Sequence, residues 1–470
     1  MYSYAATDGV GMAEVAGYDV AIVGAGIVGC ALARRFAIDG ARVVLLEKAH
    51  DVLDGASKGN SAILHTGFDA PEGSLELDCI RAGHAEYLDI HQRLNLPLDR
   101  CGALVLAWDA GQEAALPELM AQARRNGVED IEPMDRAALL AAEPALAPGV
   151  RAGFRVPREA LIDPWSAAHA YLYQAIAHGA ELRCRAELTR AERRGGRWHL
   201  TTAAGPVEAG LVVNAAGLWG DHVERLLTGE SFFRIRPRKG QFIVYDKPAA
   251  GLARHILLPV PTKITKGIVV CRTAFGNLLV GPTAEEQEDR EDASLSPDTL
   301  RNLRETGESI LPGLAAQEVT AAYAGLRPAT EDKGYRIRAD LARGLVTVGG
   351  IRSTGLSAAL GIARHVAGLV GQPVREPQHW PQMPMLAQDG PRDWQAAGNG
   401  GILCHCELVT RREIEAALNA PAPARSLAGL KRRTRVTMGR CQSFGCTAAL
   451  AKLTEARFTQ PMTCGDKDGD

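Results

Sequence analysis

Short apolar runs alternate with amphipathic stretches along most of this chain. Tyr18–Val23 is an apolar run that stops at a glycine, Ile27–Asp39 continues with helical spacing, and Arg42–Leu46 is a second apolar run that ends at Glu47. Strand, helix and strand in immediate succession form a βαβ unit, whose two parallel strands require such a crossover. Further on, helical patterns (Ala114–Asn126, Trp165–His178) alternate with strand-like ones (Leu104–Ala107, Phe242–Tyr245, Leu278–Val280), and the strand pattern Leu345–Val348 runs through glycines into the helical stretch Ala358–Val370. Between Gly371 and Gly401 the alternation stops. Pro373, Pro377, Pro381, Pro384 and Pro391 break any regular element there, which predicts a linker or a strap across the surface. Beyond it, Arg411–Leu418 and Thr447–Arg457 are again rich in helix formers.

With 470 residues the chain is too long for one hydrophobic core, so two or three domains are expected. A net charge of −2 gives no general attraction for nucleic acid or an anionic membrane, and no apolar run is long enough to span a bilayer. The first 17 residues contain acidic groups and no Lys or Arg, unlike a secretory signal, and read as a disordered tail. Cys30, Cys79, Cys101, Cys184 and Cys271 are scattered singly and read as buried thiols, not as a disulfide framework.

The turn after the first strand is Gly24-Ala25-Gly26-Ile27-Val28-Gly29. Gly24 permits the tight turn, Gly26 lets the backbone approach a pyrophosphate, and Gly29 lets helix and strand pack closely. The N–H groups at the helix start then face the phosphates. Glu47, with Lys48 beside it, ends the second strand, where a carboxylate can accept hydrogen bonds from ribose hydroxyls. Something with an ADP-ribose half binds here, and these residues alone leave FAD and NAD both open.

Three further segments resemble the D-amino acid oxidase superfamily of flavoproteins. Asp54–Asn60 looks like that family's polar loop beside the cofactor, with Ser57, Asn60 and the adjoining Ser61 as candidate contacts. Leu211–Gly217 resembles its second strand-to-turn motif, with Ala216 where threonine is common, followed by Gly217. Gly349–Leu356 resembles its flavin-contacting loop, which makes Gly350, Ser353, Thr354, Gly355 and Leu356 candidates. The three in this order imply FAD.

A narrower resemblance, to FAD-linked glycerol-3-phosphate dehydrogenases and oxidases and to 2-hydroxyglutarate oxidases, rests on Asn60–Gly67, Pro261–Gly267, Gly276–Thr283 and Gly325–Pro328. Oxidising a secondary alcohol needs a hydride acceptor, a group to take the hydroxyl proton, and cations for an anionic substrate. Flavin N5 is the implied acceptor. His65 is the candidate base, because an imidazole accepts a proton near neutrality. Lys266 is placed to stabilise developing negative charge, and Arg327 and Arg352 to clamp phosphate or carboxylate bidentately.

Cys404-His405-Cys406 and Cys441-Gln442-Ser443-Phe444-Gly445-Cys446 form a C-x-C and C-x₄-C pair separated by 34 residues. Four thiolates hold either a [2Fe–2S] cluster or zinc, although structural zinc more often uses C-x₂₋₄-C. With Glu407–Thr410 after the first pair, the pattern resembles the bacterioferritin-associated ferredoxin type of [2Fe–2S] domain, also found in the anaerobic glycerol-3-phosphate dehydrogenase catalytic subunit. Lys431–Arg435, a basic stretch just before the second pair, is expected either to offset the cluster's charge or to be solvated.

The expected fold class is therefore α/β. A Rossmann-type FAD-binding domain (about 18–85, 150–224 and 335–372) is interleaved with an α+β substrate domain (about 86–149 and 225–334). A linker, 373–400, leads to a small, mainly helical iron–sulfur domain at 401–460. The resemblance implies a dehydrogenase oxidising a small anionic 2-hydroxy compound, foremost glycerol 3-phosphate, with electrons leaving through the cluster to a quinone or a partner redox subunit. A cytoplasmic enzyme, or one held peripherally on the inner face of the membrane or in a hetero-oligomeric complex, fits that chemistry. The alternatives are an amino-, imino- or 2-hydroxy-acid dehydrogenase and a non-catalytic electron-transfer subunit.

Overall fold

A computed structural model describes residues 17–261, 267–460 and 462. At its centre is Gly17–Val23, a strand whose last four residues are all buried, as expected for a parallel strand covered on both faces. Val43–Leu46 lies parallel on one side of it and Gly205–Asn214 on the other. Glu181–Arg183 extends the sheet beyond the former, and Leu345–Gly349 pairs in parallel with the end of the latter. Register pairs Val23 with both Leu46 and Asn214, so these strands finish level on one edge. Antiparallel strands Leu188–Arg194, Arg197–Thr202 and Arg336–Asp340 complete eight. The helices Ile27–Ile38, Leu75–Ile90, Pro164–Ala177 and Gly355–Leu369 pack over one face and share its apolar core.

A second, nine-stranded sheet holds Ile235–Tyr245, paired along its length with Val319–Thr330, and runs through Leu278–Gly281, Val269–Arg272, Ile256–Pro259 and Ala103–Ala107 to Ala152–Val156 and Glu132–Asp135. The boundary expected near residue 150 differs from this arrangement. Ala152–Val156 pairs with Ala103–Ala107 inside the second sheet, and the chain crosses back only afterwards. It does so in a three-stranded sheet where Ala160–Ile162 pairs with Ile63–Leu64 and Leu98–Asp99. The two halves of the molecule meet at the Asp54–Ser61 loop. There a Cβ on Gly59 would lie 2.8 Å from the Gly325 Cα, and one on Gly325 would lie 2.8 Å from the Gly59 carbonyl. Only a pair of glycines permits that approach.

The proline-rich stretch runs along the molecule. Met383 is buried in the core of the eight-stranded half, its N–H donates to Leu94 O, and its carbonyl accepts from Asn95 Nδ2. The last segment has a small core of its own, including Val409, Ile414, Leu430, Val436 and Leu450, between the helices Arg411–Leu418, Leu427–Thr434 and Thr447–Thr454. Thr410 and Glu413 cap the first of these reciprocally.

The basic stretch neither floats in solvent nor spends most of its charge on the cysteines. Arg433 grips Asp51 with both terminal nitrogens, at 2.8 and 3.1 Å, and both side chains are buried. Arg432 reaches Asp54 and the Val52 carbonyl. Arg435 pairs with Glu407 at 2.8 Å and lies over the Phe275 ring. These cations lie on one helix, Leu427–Thr434, and just past its end, which the apolar periodicity does not reveal because its outward residues are turned to a partner surface.

Candidate active site and cysteine centre

The level strand ends open into a cavity of about 620 Å³, walled on one side by the glycine turns of the eight-stranded sheet and on the other by Gly240, Phe242 and Ala324–Pro328 of the second. A crevice beyond the carboxyl ends of parallel strands is where such folds bind nucleotides. Gly24 and Gly26 line it. Gly29 does not line it but packs beneath, where a Cβ would fall 1.8 Å from Gly24 O. Gly24 itself sits at φ +104°, with Ala215 O 2.6 Å from where its Cβ would be.

Glu47 and Lys48 border the cavity. The Glu47 carboxylate accepts the Ala25 N–H at 2.8 Å and the Ala49 N–H at 2.9 Å, so it braces the glycine turn as well as facing the cofactor space. Burial raises its pKa above the usual carboxylate range. Lys48 Nζ lies 4.0 Å over the Trp219 ring. Ser57 Oγ accepts the Ile27 N–H at 3.0 Å, taking the first free donor of the helix Ile27–Ile38. Asn60 holds the loop's shape through Ser57 O and the Ala62 N–H, and Ser61, Ala216 and Gly217 complete that wall. Gly350, Ser353, Gly355 and Leu356 line the opposite side. Thr354 does not reach the cavity. It is buried and bonded to Glu76 at 2.8 Å and to Tyr335, because its turn must seat the start of the following helix. A large, backbone-lined cavity with a helix N-terminus and two glycine turns fits an extended dinucleotide with a second ring system, as in FAD.

His65 also borders this cavity. Its ring is fixed by a residue that no local motif reveals. Pairing of Ile63–Leu64 with Ala160–Ile162 sets His65 across from Glu159, whose fully buried carboxylate takes the imidazole Nδ1 at 2.8 Å. Glu159 also accepts the Thr66 N–H at 2.6 Å and the Thr66 hydroxyl at 2.8 Å. The partners lie 94 residues apart, so only strand register connects them.

The two arginines differ. Arg352 lines the cavity but lies 3.3 Å from Glu76, so part of its charge is already matched. Arg327 is half-buried and donates through Nε to Arg238 O, and through Nη2 to Lys239 O and Thr283 O. Among the described residues no carboxylate pairs with it directly. Burial, with Arg238 nearby, lowers its pKa to about 10, still charged at neutrality. Lys266, the fourth candidate, lies outside the described residues.

The four cysteines converge in the last segment, with Cys406 beside Cys441 and Cys404 beside Cys446. Cys441 also accepts backbone N–H groups of Gly445, Ser443 and Phe444, and these hold its thiol below the ordinary range, the Gly445 N–H most strongly. Burial pushes Cys446 up to about 11. Among the described residues no three His, Cys, Asp or Glu side chains gather tightly round a single point. Two thiol pairs match a two-iron centre, in which each iron takes two thiolates. His405 between the first two is exposed. The scattered Cys30, Cys79, Cys101, Cys184 and Cys271 are free thiols.

A glycerol 3-phosphate dehydrogenase of Caloramator mitchellensis is 29% identical over 96% of this chain and 96% of its own. One subunit of the anaerobic glycerol-3-phosphate dehydrogenase of Escherichia coli strain K12 is 25% identical over 93% of this chain and 88% of its own. Among solved structures, the dithionite-reduced L-alpha-glycerophosphate oxidase of Mycoplasma pneumoniae with FAD bound matches with a TM-score of 0.74 and 27% identity, over 79% of this chain and all of that one. Residues 402–456 match the BFD-like [2Fe-2S] binding domain. Residues 19–369 match the FAD dependent oxidoreductase family, and the chain belongs to it.

Proposed function

We propose that this enzyme is a dehydrogenase that oxidises glycerol 3-phosphate and passes the electrons, through the C-terminal iron–sulfur domain, to a quinone or a partner redox protein. The observation that carries the reading is Arg327, a half-buried cation on the cavity wall whose hydrogen bonds go to backbone carbonyls and not to a carboxylate. A cation drawn partly out of water with no carboxylate bonded to it is poorly compensated, so an anionic substrate group completes the site. The full-length similarity to a glycerol 3-phosphate dehydrogenase supports phosphate as that anion.

FAD, when bound, supplies the two-electron hydride acceptor, and the [2Fe–2S] cluster supplies a one-electron exit. Arg327 holds the anion and directs the substrate's hydroxyl-bearing carbon into the cavity. His65, whose Nδ1 is taken by Glu159, receives the hydroxyl proton on the ring nitrogen that remains, Nε2. Arg352 and Lys266 assist with the developing charge. We further propose that Gly24, Gly26, Glu47, Lys48, Ser57, Asn60, Ser61, Ala216, Gly217, Gly350, Ser353, Gly355 and Leu356 contact the FAD, and that Cys404, Cys406, Cys441 and Cys446 hold the cluster. No helix among the described residues is long and apolar enough to cross a membrane. Attachment to a membrane would therefore run through a peripheral contact or through another protein.

Anaerobic bleaching of the flavin absorbance with a substrate panel tests this. Glycerol 3-phosphate is expected to bleach it at micromolar to millimolar concentration. Bleaching by 2-hydroxyglutarate or an amino acid instead would assign the cavity to the acid-oxidising relatives. No bleaching by any of them would mean a protein that only transfers electrons.

A further inference from the structure

We propose that Glu159 is a positioning residue that makes His65 the base. It fixes the imidazole with Nε2 toward the cavity and counters the positive charge that arises when His65 takes the substrate's hydroxyl proton. The inference rests on the reading of His65 given above. In the step concerned, the hydroxyl O–H bond breaks and its proton goes to Nε2, while the carbon's hydrogen leaves with both bonding electrons to the FAD. Neutral imidazole becomes imidazolium, and Glu159 stays ionised.

Three observations favour this over a scaffold role. First, the carboxylate is fully buried, and its three donors, His65 Nδ1, the Thr66 N–H and the Thr66 hydroxyl, bring no fixed charge. Its burial is therefore best compensated when His65 takes up the proton that the reaction delivers. Second, the other charged groups nearby are committed elsewhere. His84 faces the same carboxylate from the helix Leu75–Ile90, but burial lowers its pKa and its Nε2 lies 3.2 Å from Arg158 O. The Arg158 guanidinium is turned out to Asp130 at 2.9 Å. Third, the strand register places the two residues opposite one another, so the pair is set by the sheet and does not depend on a flexible loop. A donated Nδ1–H fixes the tautomer that leaves the Nε2 lone pair free.

The test is anaerobic stopped-flow flavin reduction by glycerol 3-phosphate in full-length holoenzyme. Glu159→Gln is expected to lower the limiting rate about a hundredfold or more, with the half-saturating concentration within about threefold and FAD content unchanged. In a His65→Ala background the same substitution should cost almost nothing further. A limiting rate within about threefold of native, or an equal loss with and without His65, overturns the proposal. Should Glu159→Gln fail to hold FAD, Glu159→Asp, whose shorter side chain withdraws the carboxylate from Nδ1, is read in its place. A lowered limiting rate at unchanged half-saturation supports the role, and a native rate overturns it. If His65→Ala alone reduces flavin at the native rate, the base reading has failed and this inference with it. If only Glu159→Gln is native-like, the base reading survives.

Discussion

The large cavity draws its walls from strand ends and glycine turns as far apart in the chain as Gly24 and Leu356, and the glycine turns present it largely with backbone. The cysteine centre takes its four thiols from the short span Cys404–Cys446, around a core of eight other buried apolar residues. A site made of backbone tolerates the loss of most single side chains but depends on the whole sheet being assembled. A site made of four side chains is compact and separate, and each ligand is indispensable. The second site is also joined to the first by charge. Arg432 and Arg433 dock on Asp54 and Asp51, at the start of the loop that walls the cavity. Asp51 is anchored in turn, because Leu53 N donates to Ala25 O in the glycine turn.

The largest effect expected from this contrast follows Cys441→Ser. Native protein prepared anaerobically should carry about two irons per chain and broad iron–sulfur absorption beside the flavin bands. The variant should lose essentially all its iron while keeping FAD. Zinc without iron in the native protein, or undiminished iron in the variant, would overturn the ligand assignment. Ser57→Ala is the matching change in the cavity. It removes one hydroxyl from a wall built mainly of backbone, so FAD is expected to remain bound and extractable in equal amount.

Arg433→Ala comes next and attacks the join between the sites. Removing one partner of a buried ion pair costs about 3–5 kcal/mol, because the other charge stays buried without compensation. Here the protein has a way to relieve that cost, since undocking the last segment returns Asp51 to water. Limited proteolysis should therefore cut the proline-rich stretch at least about a hundredfold faster, at ~1.4 kcal/mol per decade, with the cysteine core still folded. A native cleavage pattern would show that the apolar contacts of the strap hold the segment without the ion pairs.

The sequence is legible where function is written in local spacing. The βαβ turn, the second and third glycine loops and the two cysteine pairs are each continuous in the chain, and the structure brings the glycine loops to one cavity and the cysteines together in the last segment. It is silent where function depends on register. Glu159 stands before an ordinary apolar strand, and nothing in Glu159-Ala160-Leu161-Ile162 marks it until that strand is paired with Ile63–Leu64. The helix Leu427–Thr434 is hidden for a related reason. Its arginines read as a solvent-facing charge run, whereas Arg432 and Arg433 are buried against carboxylates more than 370 positions away. Thr354 errs in the other direction, since a position that the family resemblance assigns to the cofactor is turned to Glu76.

A smaller effect is expected from Arg327→Ala. A charge-assisted bidentate contact sheltered from water is worth about 1.5–3 kcal/mol, so kcat/KM for glycerol 3-phosphate should fall roughly tenfold to a hundredfold. FAD content should not change, because Arg327 lies on the wall opposite the glycine turns. Glycerol, which has no anion, should be almost unaffected. An equal loss for both compounds would make Arg327 a support for the carbonyls of Arg238, Lys239 and Thr283 and would reopen the substrate class.

The smallest effect is a pH dependence, and its sign follows from the same residue. Burial lowers the Arg327 pKa to about 10, so the free enzyme keeps its cation through neutrality and loses it as the pH rises through that value. A phosphate monoester is already a dianion well below this range, its second ionisation lying near pH ~6. Over this range only the clamp, not the anion, changes charge. The profile of kcat/KM against pH reports ionisations of the free enzyme, so it should fall above pH about 10 with a slope of about one decade per pH unit. The limiting rate should be flatter, since a bound phosphate holds the guanidinium proton in place. Lysines and tyrosines also titrate in this range, and the Arg327→Ala variant separates them. Its profile should lose the alkaline limb for glycerol 3-phosphate. An alkaline limb that persists unchanged in the variant would assign it to another group and leave Arg327 without a role in holding the anion.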